Sequence, residues 1–151
     1  MRGRCLPPGT HGFLALRIAD RVETAAMQVT AEAIDRFAEL SGDRFAVHMD
    51  DAAAQDQGFP GRIAHGLLVL SLIDGLKNQA PAQVDAIASL GWDISFRAPV
   101  MAGDSLKAVF TVQSKKLTRD GQRGIVSLSV EALNQRAEIV QLGRTLLMTR
   151  L

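Results

Sequence analysis

Ser41–Leu68 reads SGDRFAVHMDDAAAQDQGFPGRIAHGLL. It ends where the most apolar run of the chain begins. Leu67, Leu68, Val69, Leu70, Leu72, Ile73 and Leu76 crowd a helical segment over about Gly66–Asn78, apolar almost all round. Such residues would be wasted on a surface helix, so this helix is expected to be the central, buried one. Its polar residues Ser71, Asp74 and Gly75 recur at i, i+3, i+4 and share one face, either a close approach to another subunit or a pocket wall. Pro81 stops it.

The period differs on the two sides of this helix. Upstream, Thr30 reads as an N-cap with Glu32 in the first turn. Ile34, Phe37 and Ala38 follow at helical spacing, and Ser41-Gly42-Asp43 ends the helix. Asp50 or Asp51 can cap a second short helix over Asp51–Gln57, broken by Gly58, Pro60 and Gly61. Leu14, Leu16 and Ile18 alternate, and a strand is expected within Phe13–Met27. Downstream, from Ala86, the period becomes two. Ile94 and Phe96 alternate with Ser95 and Arg97 until Pro99. Gly103-Asp104 turns into Leu106, Ala108, Phe110 and Val112. Arg119-Asp120-Gly121-Gln122 reads as a hairpin turn, with Ile125–Leu133 and Ile139–Met148 as the last strands. Helices followed by an antiparallel meander make an α+β domain whose sheet needs the buried helix to cover its apolar face.

The chain of 151 residues forms one domain over 13–151, with residues 1–12 expected as a flexible arm and His11 as a solvated loop residue. Hydrophobic residues make up 47% and charged residues 22%, a globular balance. The net charge of +1 is well interspersed and leaves no basic field for nucleic acid or an anionic membrane. The N-terminus has no apolar core of a signal peptide, and no apolar run is long enough to span a bilayer. Cys5 is alone and cannot form an internal disulfide. A cytoplasmic protein is expected.

Two of the three histidines fall within Ser41–Leu68, and Asp43 stands five residues before His48. A carboxylate and an imidazole that reach one water can deprotonate it and return a proton elsewhere. The N-terminus at Gly66 adds free N–H groups and partial positive charge, and a glycine there lets a ligand carbonyl approach the backbone. Such an end stabilises an enolate-like oxygen. Against this, a Gly-Asp in a turn is commonly an Asx-turn, and a histidine near a core is commonly just hydrogen-bonded. No metal site is expected, for want of HxxxH, HExxH or a cysteine cluster.

The string Ser41-Gly42-Asp43-x4-His48-x-Asp50, then Phe59, then Gly61-Arg62-Ile63-Ala64-His65-Gly66-Leu67-Leu68, resembles the hydratase signature of the MaoC-like family, the R-specific enoyl-CoA hydratases and related dehydratases. Phe96-Arg97-Ala98-Pro99-Val100-Met101-Ala102-Gly103-Asp104-Ser105-Leu106 is similar to the family's strand and turn after the central helix. The resemblance covers about Thr30–Leu151. It implies a hot-dog fold, a long helix wrapped by a strongly curved antiparallel sheet, in a homodimer or a higher oligomer of dimers formed by sheet extension. It implies R-specific hydration of a 2-enoyl-CoA, or the reverse dehydration. Asp43 and His48 would hold and activate water, and the Gly66 N–H would bind the thioester oxygen. No cofactor is implied, coenzyme A being part of the substrate, and His65 is left mainly structural.

Two departures stand out. The family's usual Asn-Pro is Phe45-Ala46 here, which removes a rigid ring and a hydrogen-bonding side chain from the turn. A serine carried by some hydratases is replaced by Asp74. Phe45, Phe59, Ser71, Asp74 and Trp92 are candidate acyl-pocket residues, and Arg62 and Arg97 candidates for the nucleotide end of CoA. The rival readings are a hot-dog thioesterase, which directs water at the carbonyl itself, and a non-catalytic acyl-thioester-binding subunit.

Overall fold

The computed structural model describes residues 3–151. Helix α1 (Ala31–Ser41) begins where Thr30 Oγ1 accepts a hydrogen bond from Ala33 N–H at 3.1 Å. It ends at Gly42, whose φ of 77° is the left-handed cap that glycine adopts without a Cβ penalty, with its N–H on Ala38 O. Ile34 and Ala38 are its buried stripe. Two short helices follow, α2 (Ala46–Met49) and α3 (Asp51–Asp56); Asp50 caps the latter by accepting from Ala53 N–H at 3.1 Å. The polar turn expected between Asp43 and His48 is therefore partly helical.

Central helix α4 runs over Gly66–Gln79. Four long strands come after it: β5 (Ala86–Phe96), β6 (Ser105–Leu117), β7 (Gly124–Leu133) and β8 (Ile139–Thr149). They pair antiparallel in the order β6-β7-β8-β5, and β2 (Arg21–Glu23) and β3 (Met27–Gln28) both add to β6. Leu106, Ala108, Phe110 and Val112 of β6 and Val126, Leu128, Val130 and Ala132 of β7 alternate onto the buried face. There they form one core with Leu68, Val69 and Ile73 of α4. The period-two pattern puts every second side chain against the helix. Register shifts at Ala86/Ala88, Ser89/Gly91 and Val112/Ser114 increase local twist and bend. The result is the helix-in-curved-sheet arrangement of a hot-dog fold.

Three sequence expectations meet a different outcome. First, α4 is buried on one side only: Leu68, Val69, Ile73 and Leu76 face the core, while Leu67 is 60% exposed and Ser71 is exposed. A single sheet covers one face of a helix, whatever the composition of the other. Second, the strand expected within Phe13–Met27 is there as β2, but at Arg21–Glu23 and not at the Leu14/Leu16/Ile18 alternation. Ala15 and Leu16 N–H both return to Gly12 O, so Phe13 and Leu16 turn inward together at a spacing of three, leaving Leu14 and Ile18 exposed. Third, the segment expected as a flexible arm is docked over its described part. Leu6 is buried, its N–H bonds Arg21 O at 2.8 Å, and β1 (Gly9–His11) pairs in parallel with β4 (Ala82–Val84). His11 gains a partner there, its Nε2 lying 2.9 Å from Pro7 O. Among the described residues no helix is long and apolar enough to cross a membrane.

Candidate active site

Asp43 follows the α1 cap, and its carboxylate closes an Asx-turn by accepting from Phe45 N–H at 3.2 Å through Oδ1. The side chain is exposed, and its second oxygen is not used in that turn. His48 lies on α2, half-buried, with Nδ1 2.8 Å from Ile63 O. A carbonyl only accepts, so Nδ1 carries the proton and Nε2 presents a lone pair. The same carbonyl fixes the ring's orientation. His65, just before α4, is 2% exposed and sends Nε2–H to Asp43 O at 2.9 Å. The two imidazoles stack with centroids 3.9 Å apart and planes 28° from parallel.

The α1–α2 turn and the α4 entry, more than twenty residues apart in sequence, are thereby joined. Asp43, His48 and His65 each place one ligating atom within 4.8 Å of the others. Each imidazole commits one nitrogen to a backbone carbonyl, and the rings lie face to face instead of fanning around a common point. One of these bonds, His65 Nε2–H to Asp43 O, lies within the cluster, and the other ties it to the segment before α4.

His48 and Gly66 line a cavity of about 590 Å³ with Phe45, Phe59, Val69 and Phe96 among its walls. Its mouth includes Arg97 and its depth Gln141. The lining is mostly apolar with a few polar groups, the usual make-up of a small-molecule site. Ala46 is the first residue of α2. Proline is favoured at that position because the N–H has no helical partner there, so alanine preserves the turn and gives up only rigidity. Phe45, in the asparagine's place, is 66% exposed and meets the His48 ring edge-on at 6.2 Å.

Phe45, Phe59, Gly66 and His48 thus come together as expected. Ser71, Asp74 and Trp92 do not join this cavity within the chain. Ser71 Oγ donates to Leu67 O, and Asp74 pairs with Lys77 at 2.6 Å. The Trp92 ring packs edge-on against Phe110, under the Lys77 ammonium. Ser71 lies on the exposed face of α4, away from the cavity-lining Val69, and about 1.5 Å per residue carries Asp74 well past the helix N-terminus.

Arg62 is also spoken for. Its Nε donates to His48 O at 2.6 Å, its backbone N–H to Asp51 Oδ1 at 2.8 Å, and its Nη2 pairs with Asp35. It braces α1, α2 and α3 around His48 instead of facing solvent. Of the two candidate cations for a nucleotide, Arg97 alone is exposed at the cavity.

The structure adds a packing reason for glycine at position 66. A Cβ there would lie 2.1 Å from Phe96 Cε2 and 2.3 Å from Cδ2, so the Phe96 ring already fills that space. Phe96 and Gln141 are direct cross-strand partners on β5 and β8. Gln141, 2% exposed, donates from Nε2 to Gly66 O at 2.8 Å. No local motif marks Gln141 in the sequence; it sits on β8 at an ordinary inward position, and only strand pairing brings it to the α4 N-terminus.

The description "MaoC like domain" matches residues 14–134. The chain belongs to this family. It is 34% identical over 104 residues to Protein MaoC of Klebsiella aerogenes, a match covering 68% of this chain and 31% of that protein. It is 38% identical over 78 residues to the (R)-specific enoyl-CoA hydratase of Aeromonas caviae, covering 52% of this chain and 58% of that one. The matches thus span less than two thirds of these relatives' own lengths. Among solved structures, one titled a monoamine oxidase regulatory protein from Archaeoglobus fulgius superposes with a TM-score of 0.86 at 30% identity, covering 96% of this chain and 98% of that one. The hot-dog architecture of this MaoC-like chain is shared along nearly its whole length.

Proposed function

We propose that this MaoC-like protein hydrates 2-enoyl-CoA thioesters with R stereochemistry, or dehydrates the corresponding 3-hydroxyacyl-CoA. The observation that carries the reading is the His48 imidazole. Its Nδ1–H is pinned to Ile63 O, which leaves Nε2 with a free lone pair; the ring lines an acyl-sized cavity together with Gly66 of the α4 N-terminus, and an Asp43 carboxylate oxygen lies within 4.8 Å of one of its nitrogens. The (R)-specific enoyl-CoA hydratase of Aeromonas caviae supports the same reaction class.

In the proposed reaction the thioester carbonyl takes the Gly66 N–H, where the helix end favours growing negative charge on oxygen. Asp43 and His48 hold one water between them. Its oxygen bonds to C3 as one of its protons passes to the pair. The C2=C3 electrons move to the enolate, and C2 takes a proton back from the pair on the same face. Atoms and charge balance with no redox step, and no metal or redox cofactor is required. The two groups act as one titrating unit. Arg97 at the mouth is the cation placed for the CoA phosphates.

A second copy is part of the proposal. Strand β5 ends the sheet with an unpaired outer edge, its residues Ala86–Gly91 are exposed, and Ile87 and Leu90 show 40% and 44% of their surface. A long apolar edge of this kind is stable when another strand covers it, which supports a homodimer joined by sheet extension. The exposed, unpaired Cys5 fits a cytoplasmic setting.

Crotonyl-CoA tests the function. A hydratase removes the enoyl absorbance without releasing thiol, a thioesterase releases thiol, and a non-catalytic binder does neither. Asp43→Asn should lower kcat by about 100- to 10,000-fold while the fold persists. Unchanged turnover in that variant would remove Asp43 from the mechanism.

A further inference from the structure

His65 carries a feature that packing alone leaves unexplained. The side chain is 2% exposed, between the Phe37 ring at 4.9 Å and the His48 ring at 3.9 Å. Its Nε2–H is bonded to Asp43 O, which leaves Nδ1 as a bare acceptor, buried and without a hydrogen-bond partner. It precedes α4 yet makes no side-chain cap on the helix. A phenylalanine would fill the same slot between two rings with no orphaned polar atom, and burying an unsatisfied acceptor costs stability. What only histidine provides here is the donor to the Asp43 backbone.

Ile63 and Arg62 tie the segment before α4 to His48 and to α1, and the His65 bond adds the tie to the Asp43 main chain. Asp43 stands in the loop after α1, where its own N–H donates to the neighbouring Ser41 Oγ at 3.1 Å. His48 is oriented separately by Ile63 O and by Arg62 on its own carbonyl. His65 touches both: it holds the Asp43 main chain by a hydrogen bond and lies flat on the His48 ring. Its own carbonyl carbon is joined to the Gly66 nitrogen, so it also ties the pair to the helix end.

We propose that His65 is the positioning residue that sets the Asp43 carboxylate against His48 Nε2 and fixes both relative to the Gly66 N–H. This rests on the hydratase reading above. It acts through Asp43 and His48 and takes no proton from water or substrate. Because ground-state binding of the acyl chain depends on the apolar walls, misplacing the pair should affect turnover and leave substrate affinity alone. A displacement near 1 Å costs up to about 100-fold in rate.

Three variants of the full chain test this with crotonyl-CoA: His65→Phe keeps the stacked ring and loses the donor, His65→Gln keeps a donor amide and loses the ring, and His65→Ala loses both. In His65→Phe kcat should fall by up to about 100-fold with KM unchanged. The melting temperature should hold or rise, since the orphaned acceptor is gone. His65→Gln should recover much of the loss, and His65→Ala should be the poorest. The carbonyl carbon resonance of Asp43, labelled with ¹³C, should shift in His65→Phe and return toward the wild-type position in His65→Gln. If His65→Phe turns over like wild type while Asp43→Asn is inactive, the positioning role is overturned and the hydratase reading stands. An unmoved Asp43 carbonyl resonance, or losses in kcat that merely follow losses in melting temperature across the three variants, overturns it too. Wild-type protein inert on enoyl thioesters overturns the hydratase reading, and this proposal with it.

Discussion

Replacing Gly66 with alanine separates two reasons a glycine can stand at the head of α4. In the structure the added Cβ would lie 2.1, 2.3 and 2.6 Å from Phe96 Cε2, Cδ2 and Cζ. Carbon atoms rest about 3.5–4.0 Å apart, so the ring must move by more than an ångström. Phe96 is 56% exposed and can swing outward. Turning it off its rotamer costs about 0.5–1.5 kcal/mol, and lost contacts bring the total toward the roughly 1–3 kcal/mol typical of overpacking. Alanine's advantage over glycine within a helix, about 1 kcal/mol at most, opposes this. Gly66→Ala should therefore destabilise by about 1–2 kcal/mol on these terms. Chemical denaturation of Gly66→Ala, Phe96→Ala and the double variant reads the coupling. With the ring gone the methyl has room, so the double variant should be more stable than the sum of the single effects by about 1 kcal/mol or more. Additivity within about 0.5 kcal/mol would refute the ring clash as the reason for glycine. Crotonyl-CoA turnover then reads the other reason. A methyl beside the carbonyl-binding N–H should hold kcat/KM about 100-fold down even in the double variant. Full recovery of activity there would mean that the ring alone required glycine, and that the thioester does not come to this N–H.

Arg62→Lys keeps the charge but cannot hold His48 O and Asp35 together through one guanidinium. It should lower kcat by about 10-fold, with a stability loss near 1–3 kcal/mol; a rise in KM alone would return Arg62 to a CoA-binding role. Ile73, fully buried between α4 and the sheet, should cost about 2–5 kcal/mol when cut to alanine, read as a lowered denaturant midpoint with an unchanged slope. The Asp20 carboxylate is held below the ordinary aspartate range by the Arg4 guanidinium hydrogen-bonded to it at 2.7 Å, with Arg17 N–H adding a second bond. Its pKa is depressed in the folded state, so its contribution is present above the unfolded value and is lost as pH falls through the folded one. Arg4→Ala should therefore lower stability near neutrality, where this contribution is fully present, and move acid unfolding to higher pH, the difference from wild type shrinking as Asp20 protonates. An unaltered acid midpoint would show that this pair does not link the N-terminal segment to stability.

The Asp43–His48 spacing, the glycine opening the apolar helix and the change of period from 3.6 to 2 are all written locally. Each depends on a few neighbouring residues, and each survived folding: Thr30 and Asp50 do cap, Gly42 does end α1, and β5 to β8 form the meander. The local pattern failed where two periods fit the same residues. Leu14, Leu16 and Ile18 alternate, but Phe13 and Leu16 also fit a turn, and the core behind Lys115 chose the turn.

The rest had to wait for contacts between distant segments. Arg62 looks like any surface cation until Asp35 and His48 close around it, and Ser71 and Asp74 look like pocket residues until the seating of α4 on the sheet decides which of its faces meets the cavity. Gln141 and Phe96 reach Gly66 only because β8 and β5 pair in one register. The sequence by itself determined the fold class and marked Asp43 and His48 as the candidate pair, the first from periodicity and capping and the second from a compact motif that resembles a family signature. Tertiary structure decided which side chains serve that pair, because a hydrogen bond acts over about 3 Å and residues far apart in the chain come that close only once the sheet has wrapped its helix.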